Sequence, residues 1–231
     1  MKRKLFFVLS LFLICSIYIF GEDFPTKAKT VDDFVPKGWK EILTTNGDLN
    51  KDKLEDTVIV IEKDDVLGPD YLNLNPRILL VLFKQKDGTY ILASKNDKGF
   101  IQSENDQENP TLMDILTGIS IKNNTLRIKF DYFLSAGSYS ASQTVFTFRF
   151  QNNRFELIGL DNNSFMRNSG EQEEFSINFS TNKMKTTSGR NMFDKKLSKP
   201  KETWENINIK KKYILDEMSK DTLDVILDYV Y

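Results

Sequence analysis

Asp48, Asn50, Asp52 and Asp56 place oxygen side chains at positions 1, 3, 5 and 9 of the segment Gly47-Asp48-Leu49-Asn50-Lys51-Asp52-Lys53-Leu54-Glu55-Asp56, which runs directly into Thr57-Val58-Ile59-Val60-Ile61. The carbonyl of Leu54 falls at position 7, the usual backbone ligand of a calcium loop. This alternation suits Ca2+, a hard ion that takes six to eight oxygen ligands. Position 12, where an EF-hand supplies a bidentate glutamate, is Ile59, inside an apolar run that reads as a strand and not as an exiting helix. Lys53 stands where such loops carry the glycine of their sharp turn, so a cation sits close to the site and the expected affinity is modest. The competing reading is a solvated acidic turn, because Asp and Asn favour loops through hydrogen bonds to their own backbone.

A loop of this kind needs strands to hold its ends. Alternating apolar residues punctuated by turn residues predict antiparallel strands near 40–45, 56–62, 77–84, 89–94, 117–122, 126–133, 142–150, 154–160, 173–180 and 183–187. Lys86-Asp87-Gly88, Asn123-Asn124, Asn152-Asn153 and Thr181-Asn182 accept left-handed or turn geometry, which makes hairpins of the strands they join. Phe146, Phe148 and Phe150 alternate with Thr147 and Arg149, while Phe155 and Leu157 answer across the Asn152-Asn153 turn, so these aromatics belong to the core. Before the strands, Thr30-Val31-Asp32-Asp33-Phe34 reads as a single capped helical turn stopped by Pro36. After them comes a basic linker from Asn191, then a last apolar contact or short strand marked by Trp204, Ile207 and Ile209. Leu223, Ile226, Leu227 and Val230 recur at helical spacing, an amphipathic C-terminal helix that docks on the β domain with Asp224 and Asp228 outward. The expected fold is mainly β: antiparallel hairpin sheets, propeller-blade-like or a two-sheet sandwich, over 22–190, followed by the linker and helix of 191–231.

The stretch GDLNKDKLEDTVIV resembles the FG-GAP or VCBS-type calcium loops of integrin-like β-propellers, in which an Asp-rich loop lies between strands of a blade. The resemblance implies side-chain ligands Asp48, Asn50, Asp52 and Asp56, with Leu54 contributing its carbonyl and water completing the shell. It also favours blades over a sandwich, although no second copy follows at a blade-like period of about forty residues.

Two other groupings carry chemistry. Between strongly patterned strands, Gly137-Ser138-Tyr139-Ser140 is small and hydroxyl-rich around one tyrosine; it reads as a contact for a protein or glycan partner, or else as a broad turn. Asp131 and Glu156 are the candidates for a carboxylate-based, glycosidase-like hydrolase, the alternative to a non-catalytic domain. Ser180-Thr181-Asn182-Lys183 spells S-x-x-K, but that motif needs a helix to bring amine to hydroxyl, and Thr181-Asn182 is a hairpin turn. The acidic loops 64–75 and 96–110 show no regular alternation of oxygen residues and read as solvated connections.

The N-terminus supplies the compartment. Lys2-Arg3-Lys4 precedes an apolar stretch from Leu5 to Phe20, with Gly21 as a small residue for cleavage, the pattern of an export signal. One alternative is an uncleaved anchor, because the bulky Ile19 stands where cleavage prefers a small residue; the lesser one is a lipidated Cys15, against which Ile14 stands where lipidation prefers a small residue. Removing residues 1–21 takes Lys+Arg from 32 to 29 against 33 Asp+Glu, a net charge of 29 − 33 = −4. That balance disfavours nucleic acid, which is bound through clustered Lys and Arg. Without Cys15 the chain also lacks cysteine and histidine, which excludes disulfides and Ser-His-Asp or Cys-His catalysis. No later apolar run is long enough to span a membrane. The sequence thus predicts an exported, periplasmic or secreted, calcium-binding domain with a structural or partner-binding role.

Overall fold

The computed structural model describes residues 23–64, 72–105, 113–134, 137–194 and 199–228. The leader, Ser135-Ala136, Lys195-Lys196 and Val230 lie outside these residues. Twelve strands among the described residues form two antiparallel sheets, sandwich-like and not closed into a barrel. Of the two architectures that the sequence leaves open, this is the sandwich and not the blades that the loop resemblance favours: the strands form one five-stranded and one seven-stranded sheet instead of repeated four-stranded units. The smaller sheet has β2 (Trp39–Gly47), β3 (Asp56–Lys63), β4 (Arg77–Lys84) and β5 (Tyr90–Asn96) in sequential order, with the short β1 (Lys27–Ala28) beside β5. The larger is a seven-stranded meander: β6 (Leu116–Lys122), β7 (Thr125–Phe133), β8 (Ser140–Gln151), β9 (Arg154–Met166), β10 (Glu171–Asn178), β11 (Lys183–Asn191) and β12 (Lys201–Asn206). β1 goes beyond the ten strands that alternation predicts, and β12 is the short strand that Trp204 marks.

Turn chemistry sets this meander. Asn123 and Asn124, like Asn152 and Asn153, have both φ angles between +51° and +57°, the left-handed pair that a two-residue hairpin turn demands. The facing sides of the two sheets enclose the main core, where Phe100 meets Phe130 and Phe146 edge-on and Phe83 meets Phe150 likewise. The small sheet is covered on its other side too. Phe34, at the end of the 3-10 turn Asp32–Phe34, packs with Ile59, Ile61, Ile78, Leu80 and Leu82 in a second cluster, with Trp39 and Tyr90 against it. Two-sided burial explains why β3 and β4 are continuous apolar runs and not alternating ones.

The C-terminal segment completes the main core with Ile207, Ile209, Tyr213, Leu215, Met218 and Ile226. It is tied to β5 by polar bonds. The amide of the fully buried Asn96 donates to the carbonyls of Leu215 (2.6 Å) and Met218 (2.8 Å), and the Ser94 hydroxyl donates to Asp216. Helix α1 (Thr222–Asp228) docks through Ile226, with Leu223 and Leu227 at its margin. One expectation is corrected here: Ile207 and Ile209 are buried, but Trp204 is not an apolar contact. It points outward from β12 and is 65% exposed.

Candidate functional site

The Asp48–Glu55 segment closes the hairpin between β2 and β3, whose register pairs Gly47 with Asp56. Its turns are built by the residues that the alternation singles out. Asp48 accepts the backbone N–H groups of Lys51 (2.6 Å) and Lys53 (3.0 Å), Asn50 Oδ1 accepts that of Asp52 (3.0 Å), and Asp52 accepts that of Leu54 (2.8 Å). Each oxygen is thereby turned back along the loop. Lys51 and Lys53 are both left-handed, at φ +68° and +69°, so Lys53 adopts the conformation for which calcium loops use glycine. A non-glycine residue there costs on the order of 1–2 kcal/mol.

Asp56 plays another part. It is fully buried, and its two oxygens accept the N–H groups of Leu49 (2.8 Å) and Lys84 (3.0 Å), latching the loop to β4. Burial pushes its carboxyl up to about 6 against the opposing pull of those two N–H groups, and the negative charge of Asp52 adds to the rise. The oxygen donors of Asp48, Asn50, Asp52 and Leu54 fit a hard cation by type. Among the described residues, however, no three Asp, Glu, His or Cys side chains converge on one point. The carboxylates of Asp48, Asp52 and Asp56 therefore do not form a ready-made triad, and Asp56 serves the loop from its buried side.

The loop is also where the two sheets meet. The Asn124 side chain, in the β6–β7 turn, donates to the Asp48 carbonyl at 2.6 Å, and Leu49 is buried in the main core. Gly47 abuts Ile121 of β6 so closely that a Cβ would come within 2.7 Å of its side chain. Only glycine allows that approach.

The opposite end of β3 and β4 carries a polar cluster that the sequence did not reveal. Arg77 donates Nε to Glu62 at 2.8 Å and grips Asp114 with two bonds of 2.8 Å, while Nη1 also reaches the Gln102 carbonyl. Asn73 joins Glu62 to Glu104. Burial raises the Glu62 carboxyl, but hydrogen bonds from Asn73 and Arg77, the Arg77 charge and Lys40 outweigh it and hold the pKa below the ordinary glutamate value. Glu62 faces Arg77 across the β3–β4 register, whereas Asp114 and Gln102 come from sequence-distant connections that only the fold brings to it.

The Gly137–Ser140 loop lies at one end of the large sheet, away from the Gly47–Asp56 loop, and Tyr139 is 61% exposed. Arg167 shapes it: its guanidinium stacks 4.3 Å over Phe133 and bonds to the carbonyls of Leu134, Ser138 and Tyr139. Asp131 and Glu156 are not brought together. They pair with Gln143 and Arg149, six residues apart along β8, a separation of about 20 Å. Glycosidase carboxylates stand roughly 5–10 Å apart. Glu156 is instead fastened by Gln151, Asn152 and Arg154, whose hydrogen bonds hold its carboxyl below the usual range. No protein-family model matches the chain, and no curated protein or solved structure matches it, so function must be read from its own geometry.

Proposed function

We propose that the protein is an exported, non-catalytic β domain whose Gly47–Asp56 loop binds Ca2+ and thereby stiffens the joint between its two sheets. The observation that carries this reading is Lys53, held left-handed at the glycine position of a loop whose oxygen side chains stand at positions 1, 3 and 5. Strain of that kind persists where the surroundings over-determine it, and it gathers at functional sites. Asp48, Asn50, Asp52 and the Leu54 carbonyl would hold the cation. Asp56 would fix Leu49 and close the loop from within. A bound cation would screen the repulsion between Asp48, Asp52 and Asp56. The apolar leader supports export, into a compartment where calcium modules work with Kd of roughly 10⁻⁴–10⁻³ M.

Calcium titration of the full chain by calorimetry tests the site: the expected Kd falls in that range, and Asp48→Ala or Asp52→Ala abolishes the heat. A titration without heat of binding, or one unchanged in both variants, overturns the reading. A protein or glycan partner at Gly137, Ser138, Tyr139 and Ser140 is a separate part of the proposal, supported by the exposed Tyr139 on a loop pinned by Arg167. Tyr139→Ala should weaken such a partner in envelope pull-downs while leaving the melting temperature unchanged.

A further inference from the structure

The outer face of the large sheet is an ordered polar grid. Register places Val145, Asp161, Ser176, Lys185 and Trp204 in one row across β8 to β12. Gln143, Asn163, Glu174, Thr187 and Glu202 form the next row, two residues along each strand. Directly paired residues of antiparallel strands share a face, so both rows look outward together. Short side chains in the middle of the grid leave a depression of about 400 Å³, with Gln143, Asp161, Asn163, Glu174 and Thr187 among its lining. The row from Val145 to Trp204 spans four strand spacings, about 19 Å.

Within these two rows the charges are matched. Lys185 pairs with Glu202 at 2.6 Å, Arg190 with Glu174 at 3.0 Å, and Asp161 accepts the Ser176 hydroxyl at 2.6 Å. A polyanion needs several free cations, and the single cation of these two rows, Lys185, is already paired. What remains are amides and hydroxyls able both to donate and to accept, and carboxylates that accept, beside one large flat ring. Trp204 sits at the end of the row with the Lys185 ammonium 5.8 Å from its ring. An exposed indole gives a rigid apolar surface with little entropy to lose, and its polar neighbours can take up hydroxyl groups.

We infer that this face is a saccharide-binding groove: a short, uncharged oligosaccharide lies across β8 to β12, its hydroxyls bonded by Asp161, Asn163 and Glu174 and one ring stacked on Trp204. The groove is distinct from the Gly47–Asp56 loop and does not depend on calcium there.

The test is a calorimetric titration of the full chain with cellohexaose, xylohexaose, laminarihexaose, mannohexaose and chitohexaose, in calcium and again in chelator. At least one is expected to bind in both buffers, with a blue-shifted tryptophan emission. Trp204→Ala should then raise Kd by about tenfold, the loss common for a truncated aromatic anchor. Asn163→Ala should raise it by a smaller factor, and both variants should keep the wild-type melting temperature. Absence of binding across the panel overturns the inference, as does a Trp204→Ala variant that binds like wild type. Sedimentation adds a third arm: a wild-type dimer that Trp204→Ala dissociates would assign the face to a second copy of the chain and overturn the saccharide reading.

Discussion

The two sheets solve the same packing problem in opposite ways. β3 and β4 are buried from Thr57 to Glu62 and from Ile78 to Phe83 because each face of the small sheet carries its own apolar cluster. In the large sheet only one face is covered. Leu126, Ile128 and Phe130 point into the core while Arg127, Lys129 and Asp131 alternate with them. Strands sealed on both sides have no surface for recognition, so the polar chemistry of β3 and β4 is driven to their ends, into the Gly47–Asp56 loop and the Arg77 cluster. Among the described residues, no second apolar cluster covers the outer face of the large sheet.

The largest expected effect lies in the sealed sheet's polar end. Arg77→Met would leave Glu62 and Asp114 without their partner and should cost about 3–5 kcal/mol in denaturant unfolding. The same variant has a pH signature. The Glu62 pKa is lowered in the folded state, so its stabilisation is complete above the ordinary value of 4.5 and fades as pH falls through the folded value. Wild type should therefore lose stability more steeply than Arg77→Met below pH 4.5; parallel curves would show that Glu62 gains nothing from Arg77.

A paired truncation sharpens the contrast between sheets. Leu79 and Leu80 face opposite sides of β4 and both are fully buried, so Leu79→Ala and Leu80→Ala should each cost about 2–5 kcal/mol. On β8 the neighbours should differ: Phe146→Ala costs about 3–5 kcal/mol, Val145→Ala about 1 kcal/mol or less. Equal costs at both β8 positions would mean that the outer face is covered. At the joint, Gly47→Ala must push Ile121 aside and should cost about 1–3 kcal/mol.

These contrasts also explain what could be read from the sequence. Hairpins were legible because Asn123-Asn124 and Asn152-Asn153 carry their turn geometry locally, and Phe146, Phe148 and Phe155 were legible as core from their period. The continuous runs of β3 and β4 identified strands without telling that Phe34 and Trp39 cover a second face. Arg77 offered no local sign, since Asp114 lies 37 residues away. At Trp204 the short strand was legible and is β12, but an apolar residue near Ile207 and Ile209 resembles a core contact until the β11–β12 register turns it outward. In the loop, spacing singled out Asp48, Asn50 and Asp52, whose oxygens accept the loop's own N–H groups, but could not distinguish Asp56 as a buried latch, a role set by its reach to Lys84.

The most direct test is thermal unfolding of wild type and Asp52→Ala, both at one calcium concentration, ten times the wild-type Kd, and both with chelator. Binding at that concentration is worth about 1.4 kcal/mol, which for a chain of this size raises the melting temperature by about 3–6 °C. The account predicts that rise in wild type and its loss in Asp52→Ala. A wild-type melting temperature indifferent to calcium, or an equal rise in Asp52→Ala, would contradict it and leave the Gly47–Asp56 loop an acidic turn.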